Sequence, residues 1–530
     1  MKLPLTPIRC LYRGVDMYGN KVGVVSGTER YTYRQFGERC ERLAAGLLAE
    51  SVQRGDRVAF LSFNNNQLLE GYYGAPLVRA IAMPLNVRLQ PSELAVILNH
   101  AEAAVLAFEN DFAPYVQQLR ATCPTVRRWV SIDGPNPQAD LTYEDLLSHG
   151  GIGRPDLRSF DEDEIAELFY TSGSTGTPKG VMLSHRTLYL HALAVAGTLN
   201  HDDNAVELHT IPLFHANGWG RPQTAVMNGL KQVMVRRFDP AHVLRLIQDE
   251  RATAMSLVPT MANALLNCPA LGQFDTSSMQ EIHIGGAAAA PELIAQMEAA
   301  FRCRVMAGYG LTETCPVATS ARPKCTVSYA NEEDRIRHLA MAGWSLPGCE
   351  IRVVDLQMRD VPRDMETVGE VVIRGDNVMD GYFKEPAATA AVMSGDWLHT
   401  GDMAVWDAEN YIHIVDRKKD IIVSGGENIS SIEVEKAICA HPAVLECAVV
   451  AAPDPKWGEV PAAVVVVKSG QQLEQEDLLA FLADRIGRFK MPRVVEFAAG
   501  PLPKTGTGKI LKRELREAYW QGKQVRVGQA

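Results

Sequence analysis

The sequence predicts an α/β protein: a large N-terminal domain of mainly parallel sheets flanked by helices, followed by a small α+β C-terminal domain. Three observations carry this. Short apolar or alternating runs, among them Arg57 to Phe63, Ala104 to Phe108 and Gln280 to Ile284, are separated by stretches of helical period. A chain of 530 residues is longer than one hydrophobic core usually grows. The pattern then changes near Asp416, where the charged run DRKKD leads into the loop SGGENISS.

The alternation of strands and helices argues for parallel sheets, whose ligand sites gather at the loops beyond the strand carboxyl ends. One helix is readable in detail. From Ser184 onward, Leu188, Ala192, Val195, Ala196 and Leu199 fall on one face, with Ser184 as candidate N-cap. After Asp416, Ser430 and Glu433 have capping-box spacing, and Val444 to Ala452 and Ala462 to Val467 read as strands. The division is therefore placed at residues 1–416 and 421–530. No internal repeat is visible.

Composition narrows the function. With 46% hydrophobic and 22% charged residues the chain is globular rather than disordered. A formal net charge of -10 supplies no global field for nucleic acid or an anionic membrane surface. Ten Cys occur without C-x-x-C spacing, so they are expected as reduced thiols rather than a zinc or redox motif. No apolar run reaches membrane-spanning length, and neither MKLPLTPIRCLYRG nor VRVGQA reads as a targeting segment. A cytoplasmic protein without integral membrane association is the expectation.

Leu168 to Lys179 reads LFYTSGSTGTPK, an apolar strand running into a loop of glycines and hydroxyls with one lysine. Glycines allow backbone N–H groups to converge on an anion, Ser and Thr add donors, and Lys179 adds positive charge, so the loop suits polyphosphate. A flexible surface loop is the ordinary alternative. A Walker A motif is ruled out, because Gly180 follows Lys179 and Ile510 follows Lys509 where Ser or Thr is required.

Six segments stand in a fixed order: YTSGSTGTPKG from Tyr170, GYGLTET from Gly308, TGD from Thr400, DRKKD from Asp416, SGGENIS from Ser424, and PKTGTGK ending at Lys509. On these the chain resembles the adenylate-forming superfamily, which includes acyl-CoA synthetases, luciferases and peptide-synthetase adenylation domains. The resemblance spans nearly the whole chain. It implies that ATP and a carboxylic acid form an acyl-adenylate with release of pyrophosphate, and that coenzyme A takes up the acyl group. It also implies Mg2+ as cofactor, a mobile small domain and a hinge at 417–420.

The resemblance assigns roles residue by residue. Thr171, Ser172, Gly173, Ser174, Thr175, Gly176 and Lys179 face the triphosphate and the departing pyrophosphate. Thr312 touches the α-phosphate and Glu313 is the magnesium candidate, with a solvated helix-start carboxylate as the alternative for Glu313. Gly286, Ala287 and Tyr309 match the adenine positions, and Tyr309 read by itself is equally an ordinary core residue. Asp402 accepts from the ribose hydroxyls and Arg417 makes a second ribose or phosphate contact. Lys509 bridges the substrate carboxylate and the α-phosphate. Lys419 belongs to the hinge, and Gly425 and Gly426 line the passage for the pantetheine arm.

For the acid, His215 and Trp219 in PLFHANGWG resemble positions bordering the acyl site, with Trp219 either a gate or a packed core residue. Gly285 and Gly308 belong to the same region, and the small residues of GGAAAA, Gly285 to Ala290, suggest an open slot. An apolar acid is the expected substrate class, fatty, alkanoic or aryl. Loading of a separate carrier protein is the second reading, followed by a luciferase-like oxidation or a non-catalytic nucleotide-binding module. A homodimer is left open.

Overall fold

The computed structural model describes residues 2–172, 178–199, 201–424, 427–483, 485–504 and 510–521. The chain divides into two compact units, Met1–Ile351 with Ile373–Leu398, and Arg352–Val372 with His399–Ala530.

Among the described residues the first unit holds two large sheets. In the nine-stranded sheet the order runs Trp344–Ser345, Val317–Ser320, Arg304–Gly310, Glu281–Ile284, Ala254–Leu257, Val206–His209, Lys231–Met234, Val22–Ser26, Glu29–Thr32. From Arg304–Gly310 to Val22–Ser26 every pairing is parallel, and antiparallel strands close both edges. The eight-stranded sheet is likewise parallel from Ile165–Ser172 through Ile81–Pro84, Arg57–Leu61, Ala103–Phe108 and Arg128–Ser131 to Leu141–Thr142, with antiparallel strands at one edge only. The expected α/β class with mainly parallel sheets is the observed one.

Strand formation follows burial. Ala103–Phe108 is buried at every position, as a central parallel strand covered on both faces must be. The run from Arg57 ends as a strand at Leu61 rather than Phe63, because the Phe63 N–H donates to Glu109 Oε1 at 2.9 Å and leaves the ladder. The helix His185–Leu199 buries Leu188, Ala192, Val195 and Leu199 as the pattern required, with Ala196 half-buried. Its cap is Ser184, whose Oγ accepts from the Thr187 N–H at 3.3 Å.

The second unit contains a five-stranded sheet ordered Glu427–Ile429, Ile422–Ser424, Gly458–Val467, Val444–Asp454, with Val494–Phe497 parallel to Gly458–Val467. Helices Ser431–Cys439 and Gln475–Ala483 cover it through Val434, Ile438, Leu478 and Leu482, packed on Ile422, Val449 and Val465. Ser430 caps the first of these, accepting from the Glu433 N–H at 3.1 Å, while the Glu433 carboxylate pairs with Lys490 at 2.7 Å instead of returning to the cap. The box spacing is therefore used on one side only.

Candidate active site

The phosphate-type segment lies between two paired strands. Ile165–Ser172 pairs antiparallel with Pro178–Ser184, placing Thr171 opposite Lys179. Lys179, read from sequence as part of the loop, thus stands on the return strand, and a strand backbone aims its side chain more firmly than a loop would. Its Nζ lies 4.8 Å from the centre of the Tyr382 ring. Gly173, Ser174, Thr175 and Gly176 lie outside the described residues, as do Gly425, Gly426 and Lys509.

Tyr382 ties this hairpin to the second motif. Its hydroxyl donates to Glu313 Oε1 at 2.8 Å, and the Glu313 carbonyl accepts from the Met379 N–H at 2.8 Å. Burial and the neighbouring Glu313 carboxylate both push the Tyr382 phenol up, so it remains a neutral donor. Glu313 sits in the short 3-10 turn Thr312–Thr314, directly after Arg304–Gly310, with Thr312 buried beside it. Lys179 and Glu313 are brought to one aromatic ring from positions far apart in sequence. Tyr382 itself was not singled out from sequence, because Gly381-Tyr382 carries no motif and its value lies wholly in whom it meets.

Tyr309 is half-buried on the strand Arg304–Gly310, opposite Thr319. Gly286 and Ala287 are exposed just beyond the end of the strand Glu281–Ile284, one strand away. These positions therefore lie at adjacent carboxyl ends of one parallel sheet, where such folds bind ligands.

The residues bordering the expected acyl slot also meet. Trp219 is half-buried, and a Cβ built on Gly285 would lie 3.1 Å from Trp219 Cη2 and 3.2 Å from the Gly308 carbonyl oxygen. Only glycine at 285 lets the indole lie against that strand end. Ala216, Gly218, Trp219 and Gly220 all have positive φ, 41° to 71°, an uncommon run for which the glycines are suited. His215 precedes this turn as the residue before helix Ala216–Asn228. Trp219→Ala is expected to change the ranking of acids while unfolding stays close to wild type, read by kcat/KM across an acid series and by thermal melting. An unchanged ranking with a lowered melting point would make Trp219 a packing residue.

Within the second unit, Asp402 and Arg417 are register partners on antiparallel strands Trp397–Trp406 and Ile412–Arg417. Arg417 Nε lies 2.6 Å from Asp402 Oδ1, and Asp402 is 3% exposed. The guanidinium thereby holds the carboxylate in one orientation. Thr400 Oγ1 donates to the Val371 carbonyl at 2.7 Å and accepts from the Asp402 N–H at 3.1 Å, fixing the strand backbone around Gly401. Beyond Arg417, the Lys419 carbonyl accepts from Arg516, which also pairs with Asp420 at 2.7 Å, while the Lys419 side chain is exposed.

The chain matches known families and proteins along most of its length. The AMP-binding enzyme family profile matches residues 11–383, and that of the AMP-binding enzyme C-terminal domain matches 433–509. A long-chain-fatty-acid–CoA ligase of Thermus thermophilus is 39% identical over 518 residues, covering 96% of this chain and 94% of its own length. A peroxisomal butyrate–CoA ligase of Arabidopsis thaliana, AAE11, is 35% identical, covering 97% and 93%. Among solved structures, ATP-bound MatB from Rhodopseudomonas palustris superposes with a TM-score of 0.86 at 28% identity, covering 97% of this chain and 99% of that one. Among the described residues no helix is long and apolar enough to cross a membrane. With a family profile over most of its length and CoA ligases aligned from end to end, the chain belongs to the AMP-binding enzyme family, in the adenylate-forming branch of acyl-CoA synthetases, AMP-forming acid–thiol ligases that use ATP and CoA.

Proposed function

We propose that this enzyme activates an apolar carboxylic acid in two half-reactions, with the residues named above in the roles the motifs imply. The observation that carries the reading is the meeting of Lys179, Glu313 and Tyr382 at the strand ends of the first unit. Adenylation brings a carboxylate onto the α-phosphorus of ATP, two anions together, so the site must neutralise charge and hold an in-line approach. Lys179 and the 171–176 segment take the triphosphate. Thr312 donates to the α-phosphate, and Lys509 bridges it to the acid. Asp402 and Arg417 hold the ribose, and Gly286, Ala287 and Tyr309 receive the base.

Glu313 fits Mg2+: it is a half-buried carboxylate beside the proposed phosphate site, oriented through one oxygen by Tyr382, and Mg2+ favours oxygen ligands. Bound there, the ion would neutralise phosphate charge. The hinge at 417–420, centred on Lys419, would turn the small domain between half-reactions, bringing Gly425 and Gly426 to the pantetheine arm. The ten cysteines are all free thiols, which suits a reducing compartment and supports the cytoplasm as location.

The test is a coupled assay with ATP, Mg2+, CoA and a panel of acids. The expected products are AMP, pyrophosphate and acyl-CoA. Formation of ADP, or nucleotide binding without pyrophosphate release, would refute the mechanism, and transfer to a carrier protein but not to CoA would favour the second acceptor.

A further inference from the structure

Strands buried on both faces of a parallel sheet are ordinarily apolar on both. In the centre of the nine-stranded sheet only one face is. Val206, Leu208, Met255, Leu257, Ile282 and Ile284 pack in the core that also holds residues of helices Pro240–Glu250, Pro259–Leu266 and Pro291–Phe301. The alternate residues turn to the other side: Glu207, His209, Ser256 and His283, with Gln232 on the neighbouring strand, none more than 9% exposed. Arg221 of helix Ala216–Asn228, 5% exposed, reaches this face, its Nε 3.5 Å from Glu207 Oε1.

This polar layer is incompletely satisfied. His209 Nε2 and Gln232 Oε1 are 3.0 Å apart, and His283 pairs with Glu281. Glu207 Oε2, Gln232 Nε2 and Ser256 Oγ have no hydrogen-bond partner among the described residues. Buried polar groups in native proteins are nearly always paired, with water or a ligand where protein does not serve.

The layer begins at the proposed acyl site. By alternation Gly285 shares the face of His283, which lies two residues, about 7 Å, further in and beside Ser256. Trp219 covers Gly285, and a Cβ built on Gly218 would come 3.9 Å from His209 Nδ1. An acid whose stem lies against Trp219 therefore meets apolar surface first and hydrogen-bonding groups next. Charge is balanced in the layer: Arg221 faces Glu207, Arg304 lies 3.3 Å from Glu281, and burial pushes the His209 and His283 pKa values down, which keeps them neutral.

We propose that this face selects a short carboxylic acid with an apolar stem and a neutral hydrogen-bonding far end, such as a hydroxyl, received by Ser256, Gln232 and Glu207. The proposal rests on the acyl-CoA synthetase reading with the acid beneath Trp219. A long alkyl chain entering this layer would cover the three unpaired atoms without pairing them, and a site built to hydrogen-bond rejects an analogue that cannot.

The test measures kcat/KM by pyrophosphate release for the full-length enzyme with ATP, Mg2+ and CoA. Hexanoate and 5-hydroxypentanoate have equal numbers of heavy atoms. The hydroxy acid is expected to lead by about tenfold or more, with decanoate and hexadecanoate below hexanoate. Ser256→Ala combined with Gln232→Leu should narrow the gap between the matched pair, its folding checked by melting. If the variant fails to fold, the wild-type ranking decides. Hexanoate equal to or better than the hydroxy acid, or kcat/KM rising steadily to hexadecanoate, would overturn the proposal. Absence of AMP and pyrophosphate with every acid would remove the reaction itself and the proposal with it.

Discussion

Lys509→Ala is expected to lower acid-dependent pyrophosphate release by about a hundredfold to a thousandfold, the usual loss when one preorganised electrostatic contact to a reacting oxyanion is removed. The reason is the charge problem of the first step. The acid carboxylate and the α-phosphate repel until a cation lies between them, and the TGTGK segment carries one on a glycine-rich stretch able to approach closely. Once the mixed anhydride exists that repulsion is gone, so transfer of the acyl group from synthetic acyl-AMP to CoA should remain near wild type. Measuring both half-reactions on one preparation separates the two roles. Equal damage to each would show that Lys509 supports the small domain generally rather than serving adenylation.

Gly310→Ala should be the most damaging single-methyl substitution in the motif region. A Cβ at 310 would lie 1.8 Å from the Pro316 carbonyl oxygen and 3.0 Å from the Ala318 N, both backbone atoms that no rotamer change can move aside. The strands Arg304–Gly310 and Val317–Ser320 would have to separate where their register already shifts, between Tyr309 and Gly310. Overpacking of this kind costs about 1–3 kcal/mol where side chains can yield, and more is expected against backbone. The expected result is a melting midpoint lowered by several degrees, together with a raised KM for ATP, since Tyr309 and Thr312 flank the displaced segment. A variant with wild-type melting and wild-type KM would show that the strand end yields more easily than its contacts imply.

How much of this could be read beforehand depends on the range of the interactions. Local signals held. Ser184 and Ser430 cap the helices their spacing announced, and the apolar runs from Arg57, Ala104 and Gln280 fall on the strands Arg57–Leu61, Ala103–Phe108 and Glu281–Ile284, because caps and period are settled within a few residues. The ordered motifs were enough to indicate the family and the reaction, since glycines, hydroxyls, one lysine and one carboxylate at set positions are what nucleotide chemistry demands. Long-range pairings were not legible. That Tyr382 orients Glu313 and faces Lys179, that Asp402 meets Arg417 across a hairpin, and that Trp219 covers Gly285 all follow from strand order and register.

The polar layer shows the difference most clearly. Glu207, His209, Ser256 and His283 sit singly in apolar runs and look like interruptions. Only parallel pairing with matched register turns them onto one face, because side chains alternate along each strand and the sheet decides which strands are neighbours. The sequence by itself determined the α/β class, the family and the two-step chemistry, through short-range pattern and motif order. The tertiary structure alone decided which distant side chains share a surface, because that depends on sheet order and register, which no local stretch of sequence encodes.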